Sequence, residues 1–493
     1  VPVPDGDRPP GWLGIDLGTQ SVRALVADAS GRVLGRGSAP LAGRRAAAGR
    51  HEQSPEDWWA GVRTAARAAL DGLDAAVLGV AVCSTSGTVL LAGPSGEALT
   101  AGLMYDDGRA AAEAAEAQET GAEVWDRLGV RIQPSWALAK ALWLVRRGTA
   151  PGARLAHQAD FVNRRLVGGP VATDSSHALK TGYDLLSESW PAGVFEALGL
   201  DPALLPAVVR PGTVLGEVCR EAAEATGIAE GTPVVAGMTD GCASQLGSGA
   251  LRVGRWNSVL GTTLVLKGVT AEPVRDPAGV MYSHRSPDGT WLPGGASSVG
   301  AGVLPAGADL AALDARAAAW EPSTAVAYPL VSRGERFPFL APGAVGFMLG
   351  DPADDGDRHA ALLQGVAFAE RLALAYVGAL GAPVEGPVTF TGGAARSAYW
   401  CQLRADVLGR PARVPEHADP ALGMAILAAC ATQEGPARPL ADIAESMVRI
   451  RAAVEPRPGG TARFTGPYHR LLDELERRGW LPAEVAAHAR EHG

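Results

Sequence analysis

Near the start of the chain, Gly14-Ile15-Asp16-Leu17-Gly18-Thr19-Gln20-Ser21 joins two apolar runs, Trp12–Leu17 and Val22–Asp28. Two such runs around a short Gly-containing turn are the signal of strands folded back on one another. The acidic residue lies where the first strand leaves the sheet. Gly18 permits a positive φ or the close approach of a ligand to the backbone. Thr19, Gln20 and Ser21 bring hydroxyl, amide and backbone N–H donors, and Asp16 can hold a cation or a cation-bound water. The set suits a phosphate tail carrying Mg²⁺. An ordinary hairpin with a polar turn has the same spacing.

The pattern recurs about half a chain downstream. Trp256–Leu260 reads as a strand, Gly261-Thr262-Thr263 as the turn and Leu264–Gly268 as the returning strand. Two Gly-Thr hairpins so placed predict two similar domains, each giving a hairpin to one polyphosphate. By analogy this is the α/β arrangement of two ribonuclease-H-like (actin-like ATPase) domains flanking a central cleft. The expected division is residues 11–249 and 250–493, with no tandem short repeats and no long linker.

Local signals fill in that frame. Val33–Ser38 reads as a third strand after the turn Ala29-Ser30-Gly31-Arg32. Ser54-Pro55-Glu56-Asp57 is a helix start, with a capping residue, a proline at the first helical position and acids at the positive end of the dipole. Trp58, Val62, Ala65 and Ala69 continue it at helical spacing. Val77–Val82 and Thr88–Ala92 read as strands around the polar Cys83-Ser84-Thr85-Ser86-Gly87. Helices are expected at Ala110–Gly121 and Leu138–Arg147, and a mixed insertion lining the cleft between about Ala150 and Glu230. Val234–Met238 reads as a short strand ending in Thr239-Asp240-Gly241, and Val388–Thr391 as one followed by Gly392-Gly393-Ala394. His359–Ala379, Ala398–Leu408, Ala421–Ala431 and Tyr468–Arg478 carry helical patterns.

Composition excludes several function classes. A formal charge of −9 argues against nonspecific nucleic-acid or anionic-membrane binding. No apolar run reaches the roughly 18 residues of a membrane span. Val1–Pro10 lacks the basic-then-apolar order of a signal peptide and is expected to be a loose tail. Five scattered cysteines, with no C-x-x-C pair, fit neither a disulfide framework nor a zinc site and suggest a reduced, cytoplasmic setting. Of 44 basic residues only Lys140, Lys180 and Lys267 are lysines, which marks these as positions where a slim ammonium is needed, or as residual surface lysines. No Gly-x-x-x-x-Gly-Lys-Ser/Thr loop and no dinucleotide fingerprint is present.

The chain resembles the FGGY carbohydrate kinases over almost its whole length. The resemblance is carried by Gly14–Ser21, Met104–Arg109, Ser135–Trp143 around Lys140, and Val235–Gly249 with its Asp240. Ser258–Thr263, Gly334-Glu335-Arg336-Phe337-Pro338 and Thr391–Ser397 complete it. Within the family it is most similar to the D-ribulose kinase branch, often labelled xylulokinase-like. His157–Asp160, Ala178–Asp184, Tyr282–Arg285, Gly294–Ser297 and Tyr328-Pro329-Leu330 carry that likeness. Where that branch shows Asp-Gly-Thr-Ser, this chain has Cys83-Ser84-Thr85-Ser86, keeping the hydroxyls and losing the carboxylate.

The resemblance implies transfer of a phosphoryl group from ATP, with Mg²⁺, to a ketopentose hydroxyl, D-ribulose first and xylulose or another pentulose or polyol as the alternative. It places the general base at Asp240; on the residues alone a plain helix-capping Asp is the preferred reading. It places Mg²⁺ near Asp16, the phosphates near Gly18, Thr19, Gln20, Gly261, Thr262 and Thr263, and the adenosine near Gly392, Gly393 and Ala394. Thr85 and Ser86 become candidates for the sugar hydroxyls, Asp106-Asp107-Gly108-Arg109 a supporting network, and His157, His177 and His284 structural histidines. Small sugar and ATP are the expected partners, with no nucleic acid and no membrane, in a monomer or homodimer. A sugar- or nucleotide-binding regulator without turnover is the non-enzyme alternative.

Overall fold

The computed structural model describes residues 8–46, 49–305, 307, 309–433, 435 and 437–493. Of the expected tail, residues 1–7 lie outside the described residues, and Pro10 already opens a strand. The chain forms two compact units. The first comprises residues 1–249, 284–289 and 417–449, and the second comprises 250–283, 290–416 and 450–493. This differs from the expected division at 249/250, because a late segment returns to the first unit.

In the first unit, β1 (Pro10–Leu17), β2 (Ser21–Ala27) and β3 (Val33–Pro40) form an antiparallel meander. After α1 (Pro55–Leu70), β4 (Ala76–Ser84) pairs parallel with the other side of β1. An edge strand, β5 (Val214–Glu217), is antiparallel to β6 (Pro233–Val235), which pairs parallel with β4. The sheet order is therefore β5-β6-β4-β1-β2-β3. The central strand β1 is buried on both faces from Gly11 to Leu17, which is why it reads as a continuous apolar run rather than an alternating one. Ser54 stands at the N-cap of α1 with Pro55 at its first position, though its side chain makes no capping bond. Trp58 is fully buried and meets Phe161 edge-on, with ring centroids 6.2 Å apart. Such aromatic pairs add about 0.5–1.5 kcal/mol beyond area burial.

Gly14 explains the returning segment. The helix Pro420–Thr432 lies so close to β1 that a Cβ on Gly14 would sit 1.7 Å from the Ala421 carbonyl oxygen. Only glycine admits that approach. The helix is almost uniformly apolar and shows no amphipathic face, so its sequence does not say which sheet it covers.

The second unit repeats the frame. β7 (Trp256–Leu260) and β8 (Leu264–Gly268) form the antiparallel hairpin, and β8 pairs antiparallel with β9 (Trp291–Ala296). β10 (Val388–Thr391) pairs parallel with β7, and β11 (Ala412–Pro415) parallel with β10. β12 (Ile450–Val454) closes the edge antiparallel to β11. Among the described residues one helix, Asp355–Ala379, is long and apolar enough to cross a membrane, but 94% of its apolar window is buried and it serves as a core helix. Its Asp354 cap accepts from the Asp357 N–H at 2.8 Å. The sequence placed its start at His359, four residues late, because the apolar pattern begins after that acidic first turn.

Candidate active site

In the first unit, three neighbouring parallel strands, β1, β4 and β6, release the chain at the same end of the sheet. Asp16 is paired with Cys83 in register, Leu17 with Ser84, and Ser84 bridges Thr239. Asp16, the Ser84–Ser86 turn and Asp240 are thus brought to one edge, where open α/β sheets present their ligand sites.

Asp240 is the first residue of the helix Asp240–Ser248, with Thr239 at the N-cap. The capping alternative therefore belongs to Thr239, although its side chain makes no capping bond. The Asp240 Oδ1 accepts from the Gly241 N–H at 2.8 Å, and the residue is half-buried. Asp16 is far more enclosed, at 5% exposure. Burial, followed by the negative charge of Asp240, raises its pKa to about 7; Arg23 at 3.7 Å only partly offsets this, and Asp419 adds further repulsion. Cys83 Sγ donates to Asp16 Oδ1 at 3.6 Å, and burial pushes this thiol well up. A carboxylate left so short of positive charge suits a hydrated divalent cation, which binds through one or two carboxylates plus water. Among the described residues no group of three His, Cys, Asp or Glu side chains forms a closed metal cage.

The turn after Asp16 is held by main-chain bonds. Gly18 N–H donates to Ser21 O at 3.1 Å, and Gln53 Nε2 donates to Thr19 O at 2.7 Å. Gly18 does not take a positive φ, so the left-handed conformation allowed for it is not used. Thr19 is half-buried and Gln20 exposed.

Thr85 is 3% exposed, and Gln158 holds it twice. The Gln158 Oε1 accepts from the Thr85 N–H at 3.2 Å and from its hydroxyl at 2.7 Å, and that hydroxyl also meets Thr88 Oγ1 at 2.6 Å. Of the two expected sugar contacts, Ser86 is therefore the one whose hydroxyl has no protein partner among the described residues. Lys180 Nζ donates to Ser86 O at 3.3 Å. Lys140 is fully buried on the helix Ala137–Val145 and donates to Met104 O at 2.7 Å. Burial, with the charge of Lys180, lowers it to about 7. Neither lysine is a residual surface residue.

Asp106-Asp107-Gly108-Arg109 forms a supporting network. Asp107 accepts from Arg109 and from the His51 N–H, Arg109 reaches Glu52 at 2.7 Å, and Asp106 meets His51 Nδ1 at 2.6 Å. His157 is bonded to Asp160, Thr173 and Thr181, a structural set.

In the second unit, Gly261 N–H donates to Thr263 O at 3.1 Å, and Thr262 O accepts from the Gly302 N–H at 3.0 Å. The Thr262 side chain is exposed. Gly392 has φ +83°, and a Cβ there would lie 2.5 Å from Leu260 O. Gly393 is open on its outer side, and Ala394 is buried beneath. The strand end thus offers bare backbone on which a flat group can lie.

Sequence reasoning missed Gln158, Asp174, Ser176 and Asp419. Asp419-Pro420 is a readable helix start, with Asp419 at the N-cap and Pro420 at the first position. Gln158 carries no local signal, since its function lies in a contact with Thr85 seventy-three positions away.

A pair of sheets with this shared order, each opening on a Gly-Thr hairpin, defines the two-domain fold of the sugar kinases. Residues 11–247 match the N-terminal domain of the FGGY family of carbohydrate kinases, and residues 256–432 match its C-terminal domain. The chain belongs to that family and is a carbohydrate kinase. It is 34% identical over 440 residues to a xylulose kinase of Streptomyces rubiginosus, covering 86% of this chain and 89% of the relative. It is 29% identical over 499 residues to an autoinducer-2 kinase of an Enterobacter strain, covering 92% of each. The solved xylulose kinase of Rhodospirillum rubrum aligns with a TM-score of 0.84 at 26% identity, covering 95% of this chain and 99% of that one.

Proposed function

We propose that this chain transfers the terminal phosphoryl group of ATP to a hydroxyl of a ketopentose, with Asp240 as the general base. The observation that carries this reading is the placement of Asp240, a half-exposed carboxylate at a helix start, beside Asp16 and the Ser84–Ser86 turn at one strand-end edge. Phosphoryl transfer asks little covalent chemistry of the protein; it asks for positioning and charge neutralisation. Asp240 takes the proton from the attacking hydroxyl. Ser86 and the Gln158-held turn orient the sugar. Asp16 would hold Mg²⁺, which when bound would supply charge neutralisation at the phosphates. In the first unit Gly18, Thr19 and Gln20 would meet phosphate oxygens; in the second, Gly261, Thr262 and Thr263 would meet phosphate oxygens, and Gly392, Gly393 and Ala394 would bear the adenosine.

D-ribulose is the first candidate acceptor. D-xylulose is the second, favoured by the names of the curated relatives. A panel of pentuloses, hexuloses and polyols, read by coupled ADP release, tests the reading. Turnover greatest on D-ribulose supports the first candidate, greatest on D-xylulose the second, and no sugar-dependent ADP release overturns both.

A further inference from the structure

Ser84, His177 and Asp174 form a chain of short contacts that the proposed chemistry does not use. Asp174 Oδ2 meets His177 Nδ1 at 2.5 Å, and His177 Nε2 meets Ser84 Oγ at 2.9 Å. In order and distance this resembles a hydrolase triad. Ser84 and His177 are fully buried and Asp174 is 3% exposed, so the serine hydroxyl reaches no substrate. The cluster must act by holding something. What it holds is visible in the rest of its bonds. The other oxygen of Asp174 accepts from the Ser176 N–H at 2.9 Å, the Ser176 hydroxyl at 2.6 Å and the His177 N–H at 3.0 Å. With its proton given to Asp174, the Ser176 oxygen is left as an acceptor, and it takes the Thr239 N–H at 2.9 Å. Thr239 is the residue before Asp240 and the N-cap of the helix that Asp240 begins.

We infer that Asp174 is the anchor of a clamp that positions Asp240. This inference rests on the reading of Asp240 as the base. One arm, through Ser176, fixes the peptide that leads into Asp240. The other, through His177, fixes Ser84, whose backbone is the β-bridge partner of Thr239. Both sides of the β4–β6 strand end are thereby tied to one carboxylate. Burial opposes the charge on His177, but Asp174 more than offsets it and raises the imidazole's pKa, while His177 and the hydrogen bonds lower that of Asp174. Asp174, Ser176 and His177 are positioning residues, since none of them faces the reacting atoms. A misplacement of about 1 Å at a reacting group can cost about 10²-fold in rate, which sets the scale of what the clamp protects.

The test uses the full chain carrying Ser176→Ala, Asp174→Asn or Asp240→Asn, with kcat and both KM values measured on the best ketopentose and folding checked by thermal melting. Ser176→Ala removes only the acceptor for the Thr239 N–H and one donor to Asp174, and keeps the proposal testable if Asp174→Asn fails to fold. We expect each clamp variant to lower kcat by about 10–100-fold while both KM values stay within about threefold. Ser176→Ala added to Asp240→Asn should cost nothing further, because the clamp acts through that carboxylate. An unchanged kcat in folded Ser176→Ala, or a raised KM at unchanged kcat, overturns the clamp while leaving the base reading in place. Full turnover in Asp240→Asn removes the base reading instead.

Discussion

The two sheets share one six-strand order, which the second extends by the edge strand Met281–Arg285, and they have opposite chemical characters. In each, a central strand turns through a Gly-Thr hairpin into an antiparallel neighbour and pairs parallel on its other side. In the first sheet the central strand ends in Asp16 and Leu17, and Asp16 is buried near the charge of Asp240. In the second, Val259 and Leu260 occupy that stretch, and the parallel neighbour, which ends at Thr391, is followed by Gly392 and Gly393 where the first sheet has Thr85 and Ser86. One frame gathers carboxylates and the other strips side chains away. In the proposed reading the strand ends divide the work: the carboxylates of the first unit would serve proton and metal chemistry, and the bare backbone of the second would serve a nucleotide.

The sharpest way to break this division is Asp240→Asn. We expect kcat to fall by about 10²–10⁴, with nucleotide affinity unchanged, because a general base is lost and nothing in the second unit is altered. Coupled ADP release and a direct nucleotide-binding titration measure the two halves. Loss of nucleotide binding together with turnover would mean that the acids of the first unit also serve the nucleotide.

Next come the glycines, which hold each frame by a different contact. Gly14→Ala drives a methyl into the Ala421 carbonyl, with 1.7 Å available, so the helix over β1 must move. We expect a destabilisation of about 3 kcal/mol or more. Gly392→Ala meets both a positive φ and a carbonyl at 2.5 Å, and should weaken nucleotide binding more than it weakens sugar binding. Chemical denaturation and separate KM values check the pair.

These glycines also mark how much could be read beforehand. The hairpins, β10 and the helix Ala398–Leu408 are local patterns, and the structure has them where the periodicity put them. The return of 417–449 to the first unit is not local. It depends on a bare backbone at Gly14 meeting a helix more than four hundred residues later, and no window of sequence contains both. The site divides the same way. Asp16 and Asp240 announce themselves at strand ends, whereas Gln158 and Ser176 bond partners 73 and 63 positions away. His177 was expected to be structural, and its bonds are to the protein alone, but they lead to the residue before Asp240.

Asp16→Asn tests the electrostatic side of the comparison. With a carboxyl raised from 3.8 to about 7, the folded chain keeps a proton that the unfolded chain has released between those values. Its stabilising contribution is present below about pH 4 and is lost as pH rises through about 7, a change of at most ~4 kcal/mol. Without divalent cation, Asp16→Asn should therefore melt higher than the parent above pH 7 and match it more closely near pH 5, while turnover is lost. Added Mg²⁺ should narrow the gap by stabilising the parent alone. A variant that melts lower than the parent at pH 8 would show that Asp16 is not the strained group of the first sheet.

The smallest effect is expected at the exposed hairpin of the second unit. Thr262 has its carbonyl engaged by the Gly302 N–H, so removing the side chain leaves the turn intact. A neutral hydrogen bond contributes about 1 kcal/mol, so Thr262→Ala should raise the KM for ATP by about 3–10-fold and leave kcat and the sugar KM within twofold. Thr19→Ala in the first hairpin should do more, because Thr19 is half-buried. Steady-state kinetics at varied ATP separate the two. Equal, null effects would reduce both hairpins to ordinary turns and leave the nucleotide to the backbone at Gly392 and Gly393 alone.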